Sequence, residues 1–424
     1  MAEKEVIKKG IIALVIVLVI ASLASVYFLR QRIEEPIIAG PGVTKIGMLS
    51  DYFEGLKGSR ADTEVYYLEG EEPGATMLLM CGTHPCEPDT LLSATMFIEN
   101  AIVKAGRLIV IPRAQKTGYE QTQAGRGYPP RWHIKQDGDN MRWFRMGNRI
   151  MDPCISWPNP TVYVHYPEGQ TLAEGETLNL NRNHPGRPNG RLTEKLAYSI
   201  LQLIKKENVD ISIDPHEAPP DRPLVNAICA HERAEDVACL SVLNMEEKWG
   251  VKVRLELSPK NLRALSHREW GDHSNTLAML VETPSPMHGP IRGKATEKLL
   301  LDGKDELELR AAKAGRVFCP YDEKGYPISV RDARHVQHYM EIANAWNELN
   351  PDKPIIIENM PTYEEIVKNG VGHYLAKVEE PEPWLFPIPG IREFFFNEGR
   401  PLWGYGSHWT YDEVLGAKSL RDKS

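Results

Sequence analysis

From residue 75 onward, short apolar runs alternate with longer segments in which apolar residues recur at helical spacing. The short runs predict strands over Ala75–Met80, Leu108–Pro112, Val209–Ile213, Leu224–Ala230, Val251–Leu255 and Leu277–Val281. The longer segments predict helices over Pro88–Ala105, Leu192–Glu207 and Glu232–Trp249. This order predicts an α/β fold with a mixed, mostly parallel twisted sheet and helices on both faces.

The N-terminal apolar run, Ile11–Leu29, is flanked by lysines before it and arginines after it. It is just long enough to cross a bilayer as one helix. A cleaved signal peptide is the alternative, because small residues at Ser22–Ala24 follow a short apolar core. We interpret residues 1–40 as a single-pass transmembrane anchor with a tether. In both interpretations we expect the body of the protein on the extracytoplasmic side of the membrane.

The remaining chain is long enough for one large domain and an appendage. We assign residues 41–330 to the main domain and residues 331–424 to a C-terminal extension packed on it. Residues 113–190 lack a regular pattern and are rich in Gly, Pro, Trp and Arg, as functional loops often are. In the extension, His335–Leu349 has a helical pattern, and Glu380–Trp409 is too aromatic for a solvated tail.

The formal net charge of −8 argues against a nucleic-acid partner, because no cluster of basic and aromatic residues offsets it. The six cysteines are too few and too scattered for a disulfide scaffold, and their pairing cannot be read from the sequence.

The residues that carry chemistry first appear directly after the strand predicted to end at Met80. His84 and Glu87 lie three residues apart there, within Cys81–Pro88. Imidazole nitrogen and carboxylate oxygen both suit Zn²⁺, and a catalytic zinc site takes three protein ligands. A third ligand must therefore come from elsewhere in the chain. Cys86, between the two, could be a further ligand or a spectator thiol.

Two further candidates lie at the ends of other predicted strands. His216 follows Val209–Ile213, and Glu282 ends Leu277–Val281. Ligands of such sheets bind beyond the carboxyl ends of the strands, where residues distant in sequence converge. The pattern therefore predicts one site that contains His84, Glu87, His216 and Glu282.

Four segments together resemble the zinc carboxypeptidase superfamily, and within it the succinylglutamate desuccinylase/aspartoacylase branch. These segments are Gly82–Pro88, Asn179–Gly186, Asp214–Glu217 and Leu280–Thr283, in the family's order, and the resemblance extends from about Thr76 to Leu300. It implies that His84, Glu87 and His216 hold one Zn²⁺ per chain and that Glu282 is the general base and acid.

The resemblance also implies that Asn181 and Arg182 hold a carboxylate of the substrate. A guanidinium makes paired hydrogen bonds to a carboxylate and stays charged, so the residue type suits that role. His184, beside this pair, is a candidate for a further substrate contact. Arg149 is the candidate arginine for the oxyanion that forms during hydrolysis, with Arg142 behind it.

The chain departs from the family pattern at Pro85, Asn179 and His184, where the family often has glycine, aspartate and an aromatic residue. The aspartate is expected to orient a ligand histidine. Asn179 can still accept an N–H through its carbonyl but carries no charge, and Asp214 could take over its role.

These features predict a zinc-dependent hydrolase that cleaves an amide bond next to a carboxylate. An N-acyl amino acid is one substrate class. The other is the C-terminal end of a peptide, including a cell-wall peptide, cut by a membrane-anchored metallocarboxypeptidase. An inactive binding module that kept the fold is the third hypothesis.

Overall fold

The computed structural model describes residues 2–121, 129–138, 140–287 and 295–378, and two short strands further along. Its helices are α1 Ala2–Arg30, α2 Pro88–Asn100, α3 Leu192–Lys206, α4 Glu235–Trp249, α5 Ser266–His273, α6 Glu297–Asp302, α7 Glu306–Lys313, α8 Ile328–Leu349 and α9 Tyr363–Asn369. Its strands are β1 Lys45–Met48, β2 Glu64–Glu69, β3 Glu72–Met80, β4 Ile102–Ile111, β5 Arg131–Lys135, β6 Met141–Arg145, β7 Val162–Val164, β8 Thr171–Ala173, β9 Ile211–Ala218, β10 Ala227–Ala230, β11 Arg254–Leu257, β12 Leu277–Pro284, β13 Ile356–Glu358, β14 Phe396–Asn397 and β15 Arg400–Pro401.

The main sheet has the strand order β1-β2-β4-β3-β9-β12-β10-β11, and β13 pairs with β4. The four central strands, β4, β3, β9 and β12, run parallel to one another. Antiparallel pairs flank this centre, with β2 against β4 on one side and β10 against β12 on the other. The prediction of an α/β fold with a mixed, mostly parallel sheet is confirmed.

Helices cover both faces of the sheet because side chains of the central strands alternate between two buried apolar layers. On β3, Met77 and Leu79 face the layer formed with α2, α4 and α8. Leu78 and Met80 face the opposite layer, formed mainly with α3. Successive strand residues point to opposite faces, so a run that is apolar at every position marks a strand buried on both sides.

The observed elements differ from the predicted ones mainly at their ends. The predicted helix over Pro88–Ala105 ends at Asn100, because β4 begins at Ile102 and pairs with β2, β3 and β13. The strands β9 and β12 continue to Ala218 and Pro284, past the predicted ends. In the segment without a regular pattern, the hairpins β5-β6 and β7-β8 form.

In the C-terminal part, the predicted helix over His335–Leu349 begins seven residues earlier, at Ile328. This helix, α8, packs against α2 and α4 and buries Val336, Tyr339 and Ile342 in the same apolar layer. The boundary placed at residue 331 therefore falls inside a helix. The aromatic stretch over Glu380–Trp409 lies outside the described residues, apart from β14 and β15.

The N-terminal helix α1 is long and apolar enough, over Lys4–Arg30, to cross a membrane by its length and composition. Its large apolar side chains are exposed, as those of Ile11 and Leu18 are. Such exposure is unfavourable in water and favourable in a lipid environment.

The residues that follow α1 dock on the α/β body. The Gln31 side-chain amide donates to the backbone carbonyls of Tyr119 and Pro130, at 2.9 and 3.1 Å. The carboxylate of Glu35 accepts from Arg145 Nε at 2.6 Å and from Arg113 Nη1 at 2.9 Å, and these three side chains are nearly inaccessible to water. Polar contacts thus fix the segment next to the predicted anchor.

Replacing Glu35 with alanine is expected to lower the free energy of unfolding by about 3–5 kcal/mol, because Arg145 and Arg113 then stay buried without their counter-ion. Burial opposes ionisation of Glu35, but the two arginines lower its pKa from 4.5 to about 2. The ion pair therefore stabilises the fold above about pH 4.5, and this contribution is lost as the pH falls towards 2.

Urea unfolding of the purified chain measures this effect, with Glu34→Ala as the matched control. The Glu34 side chain is 32% exposed and also pairs with Arg113, at 3.1 Å. Its loss should cost no more than about 1 kcal/mol, as for other partly exposed ion pairs. Equal destabilisation by the two substitutions would contradict the assigned importance of the buried pair.

Candidate metal centre and active-site cavity

A tight turn after β3 brings the first two candidate ligands to the edge of the sheet. Gly82 has a φ of +70°, and a Cβ there would lie 2.7 Å from the carbonyl oxygen of Pro112. Glycine is therefore required at this position. His84 follows in the turn, and Glu87 directly precedes Pro88, the first residue of α2.

Three buried side chains, His84, Glu87 and His216, converge on one point at this edge. The Nδ1 atoms of the two histidines are 3.0 Å apart. The Glu87 carboxylate reaches both rings, with Oε1 2.8 Å from His84 Nδ1 and Oε2 2.9 Å from His216 Nδ1. Two imidazole nitrogens directed at one carboxylate form the His₂Glu donor set of catalytic zinc sites.

The other nitrogen of each histidine is turned away from this point and held by a polar side chain. His84 Nε2 donates to Asn179 Oδ1 at 2.9 Å, and His216 Nε2 donates to Asp214 Oδ2 at 3.0 Å. Donation from Nε2 leaves Nδ1 as the acceptor nitrogen, the form that a metal ligand requires. Asn179 thus orients His84 and Asp214 orients His216. Asp214 is itself held by Thr83 and Ser266.

The electrostatics of the three side chains also suit a divalent cation. Burial and the nearby Arg149 lower the pKa of His84 to about 4, which keeps its ring neutral. Against the effect of burial, the two histidines hold the pKa of Glu87 well below its usual range. Burial lowers the pKa of His216, but the negative charges of Asp214 and Glu87 have the larger effect and raise it well above its usual value. A cation bound here would therefore compete with a proton for that ring.

Glu282 lies beside this group on the neighbouring strand. It is the Cα partner of His216 in the parallel pairing of β12 with β9, so both side chains project from the same face of the sheet. Its Oε2 atom is buried and has no hydrogen-bond partner among the described residues. Burial raises the pKa of this carboxyl to about 8, and the negative charge of Glu87 adds to the effect.

The candidate ligands and Glu282 line one cavity of about 550 Å³, together with Arg149, Asn181 and Arg182. Arg149 Nη1 lies 3.9 Å from Glu87 Oε1, and Arg182 Nε lies 3.9 Å from Glu176 Oε2. Their side chains are 29% and 24% exposed, so both guanidinium groups can reach a ligand in the cavity. Burial and the charge of Arg149 lower the pKa of Arg182.

His184 is the one predicted site residue that the structure does not place in the cavity lining. Its ring is fully buried and meets Trp270 edge-on, with Nδ1 accepting from the indole N–H at 3.2 Å. Asn181 by contrast lies close to the ligand group, with its Nδ2 3.3 Å from His216 Nε2. Arg142, suggested behind Arg149, pairs instead with Glu99 in the interior.

Several lining residues could not be identified from the sequence. His267 lies in the wall of the cavity with Nε2 3.3 Å from the thiol of Cys229, and Leu224, Leu262 and Arg222 also line the cavity. They belong to loops and a short helix that carry no motif, so only the three-dimensional arrangement reveals them. Ser266, which contacts Asp214, begins α5 and has no distinguishing pattern either.

The fold and the site together define an α/β protein with a candidate metal centre at the edge of a mixed sheet. No family model and no curated protein matches the chain. Solved structures do match it, among them a desuccinylase/aspartoacylase, a cell shape determinant and a metallo-carboxypeptidase.

The chain is similar to a succinylglutamate desuccinylase/aspartoacylase from Rhodobacter sphaeroides, with 14% identity and a TM-score of 0.31 over 52% of this chain and 51% of that one. It is similar to the tripeptide-bound cell shape determinant Csd4 from Helicobacter pylori, with 11% identity and a TM-score of 0.40 over 72% and 59%. A metallo-carboxypeptidase from Burkholderia cenocepacia matches with 10% identity and a TM-score of 0.42 over 77% and 68%.

The chain thus spans only about half the length of the first of these structures.

Proposed function

We propose that this protein is a zinc-dependent hydrolase that cleaves an amide bond next to a carboxylate, with an N-acyl amino acid as its substrate. One observation carries the proposal. The His84, Glu87 and His216 donor set, a carboxylate at Glu282 with an unpartnered oxygen and the arginine Arg182 all line one cavity.

Each of the cavity residues has a separate role in such a reaction. A zinc ion held by the His₂Glu set would supply an acidified water and polarise the scissile carbonyl. A cation bound beside Glu282 would favour its ionised form, which takes the proton of the attacking water on its free carboxylate oxygen and later delivers it to the leaving nitrogen. Arg149 faces the negative charge that develops on the carbonyl oxygen. Arg182 and Asn181 bind the substrate carboxylate and so fix the amide beside Glu282.

A metallocarboxypeptidase acting on peptide C-termini is the second candidate. The cavity lining also includes the apolar side chains of Leu224, Leu262 and Leu265. Such a surface suits side chains of a peptide better than the short acyl group of an amino acid. The apolar helix α1 agrees with this candidate, because a single-pass anchor with the cavity on the extracytoplasmic side would bring the cavity to cell-wall peptides.

Product analysis tests the proposal directly. The purified chain is first assayed for metal content and then given a panel of N-acyl amino acids and peptides. We expect about one zinc per chain and release of a free amino acid from an N-acyl substrate. Release of C-terminal residues from peptides alone would favour the carboxypeptidase. A chain that binds no zinc and cleaves neither class would favour the inactive binding module.

A further inference from the structure

One histidine of helix α8, His335, contacts both segments that carry the candidate metal ligands. His335 is completely buried, and its two ring nitrogens contact two different elements. Nδ1 lies 2.6 Å from Asp89 Oδ2, and Nε2 lies 3.1 Å from the backbone carbonyl oxygen of His216. We propose that His335 is a positioning residue, which holds the segment bearing Glu87 and the strand bearing His216 at the spacing that metal binding requires.

The two contacts join the two halves of the ligand set. Asp89 is the second residue of α2 and follows Glu87 by two positions. A contact to its carboxylate therefore fixes the position of the segment that carries His84 and Glu87. His216 lies on β9, and its carbonyl belongs to the backbone from which the ligand ring projects. One rigid ring therefore bridges elements that are more than a hundred residues apart in sequence.

The backbone connects the same two elements a second time. The N–H of Asp89 donates to Glu217 Oε2 at 3.0 Å, and the N–H of Glu217 donates to Glu87 Oε2 at 3.2 Å. These bonds alone leave the Asp89 carboxylate without a donor, because its Oδ1 has no partner among the described residues. Among the described residues, His335 is the one side chain that contacts this buried carboxylate, through Oδ2, and an unsatisfied buried polar group is costly.

The ring itself is held in place by its surroundings. Tyr339 lies one helical turn further along α8 and stacks on His335, with ring centroids 5.9 Å apart and an interplanar angle of 14°. Both ring nitrogens lie within hydrogen-bond distance of an oxygen atom, so the ring is held at two points. Such fixed outer contacts orient the residues that bind a metal, and their loss typically lowers metal affinity about 10- to 100-fold.

His335→Phe tests the inference, because phenylalanine keeps the ring volume and the stack on Tyr339 but loses both hydrogen bonds. His338→Phe is the matched control. His338 is buried on the same helix, three residues further along, and its Nδ1 has no hydrogen-bond partner among the described residues. Zn²⁺ affinity is measured by competition with a chromogenic chelator. The visible spectrum of the Co²⁺-loaded chain and the unfolding temperature of the metal-free chain are recorded for each variant.

We expect His335→Phe to weaken Zn²⁺ binding about 10-fold or more and to alter the Co²⁺ spectrum, with affinity and spectrum nearly unchanged in His338→Phe. Equal Zn²⁺ affinity in His335→Phe and the wild type, or an equal loss in both variants, would overturn the inference. If His335→Phe does not fold, His335→Gln, which keeps one amide donor, replaces it. A folded glutamine variant with weakened binding supports the inference, and one with wild-type affinity overturns it.

The inference rests on the proposed metal-dependent function, and the same experiment separates the two. A wild-type chain that binds no Zn²⁺ would overturn the proposed function and this inference with it. A wild-type chain that binds Zn²⁺ equally well with and without His335 would overturn the inference alone.

Discussion

Replacing Glu282 with glutamine is expected to lower kcat by about 10²- to 10⁴-fold, the usual contribution of a general acid and base. Glutamine has nearly the same shape as glutamate but cannot accept the proton of the attacking water. Glu282 is not one of the three candidate ligands, His84, Glu87 and His216, so zinc should remain bound in the variant. Steady-state kinetics on a cleaved substrate and metal analysis of the same preparation measure the two effects.

Glu256→Gln is the matched control, since Glu256 is a glutamate of the same sheet, on β11, that pairs with Arg254 at 2.8 Å. It does not line the cavity, and its substitution should leave kcat unchanged. Substantial turnover in Glu282→Gln would remove Glu282 from its assigned role. Loss of zinc together with turnover would instead mean that the carboxylate contributes to metal binding.

The local parts of the site could be predicted from the sequence because they depend on short segments. His84 and Glu87 lie within one turn after a strand that is apolar at every position, and the order of strands and helices indicated where parallel strands end. The sequence does not specify the register of those strands. That His216 and Glu282 are direct neighbours follows from the pairing of β9 with β12, which extends beyond the apolar runs.

Long-range contacts explain what the sequence could not predict. His184 is close to Arg182 in sequence, but it lies beyond the short 3-10 helix that ends at Arg182, and its ring packs on Trp270 instead. His335 lies in a helical pattern without any motif. Its partners, Asp89 and His216, are brought to it only by the packing of α8 on α2 and β9.

Arg182→Lys is expected to lower kcat/KM for a substrate with a free carboxylate by about 10²-fold. Lysine keeps the charge but loses the planar fork that makes two parallel hydrogen bonds to a carboxylate. Hydrogen bonds to charged groups contribute about 1.5–3 kcal/mol each, and about 1.4 kcal/mol corresponds to a tenfold change. For the amidated form of the same substrate the loss should be small, because the amide cannot form the paired charged contact.

Arg149→Lys provides the matched contrast, because both arginines line the cavity and are similarly exposed. Arg149 is assigned to the carbonyl oxygen, which the free acid and the amide share. Its substitution should therefore lower turnover of both forms by the same factor and preserve the preference for the free acid. Arg182→Lys should abolish that preference. If the wild type hydrolyses both forms equally fast, Arg182 does not recognise a carboxylate, and the cavity selects its substrate by other contacts.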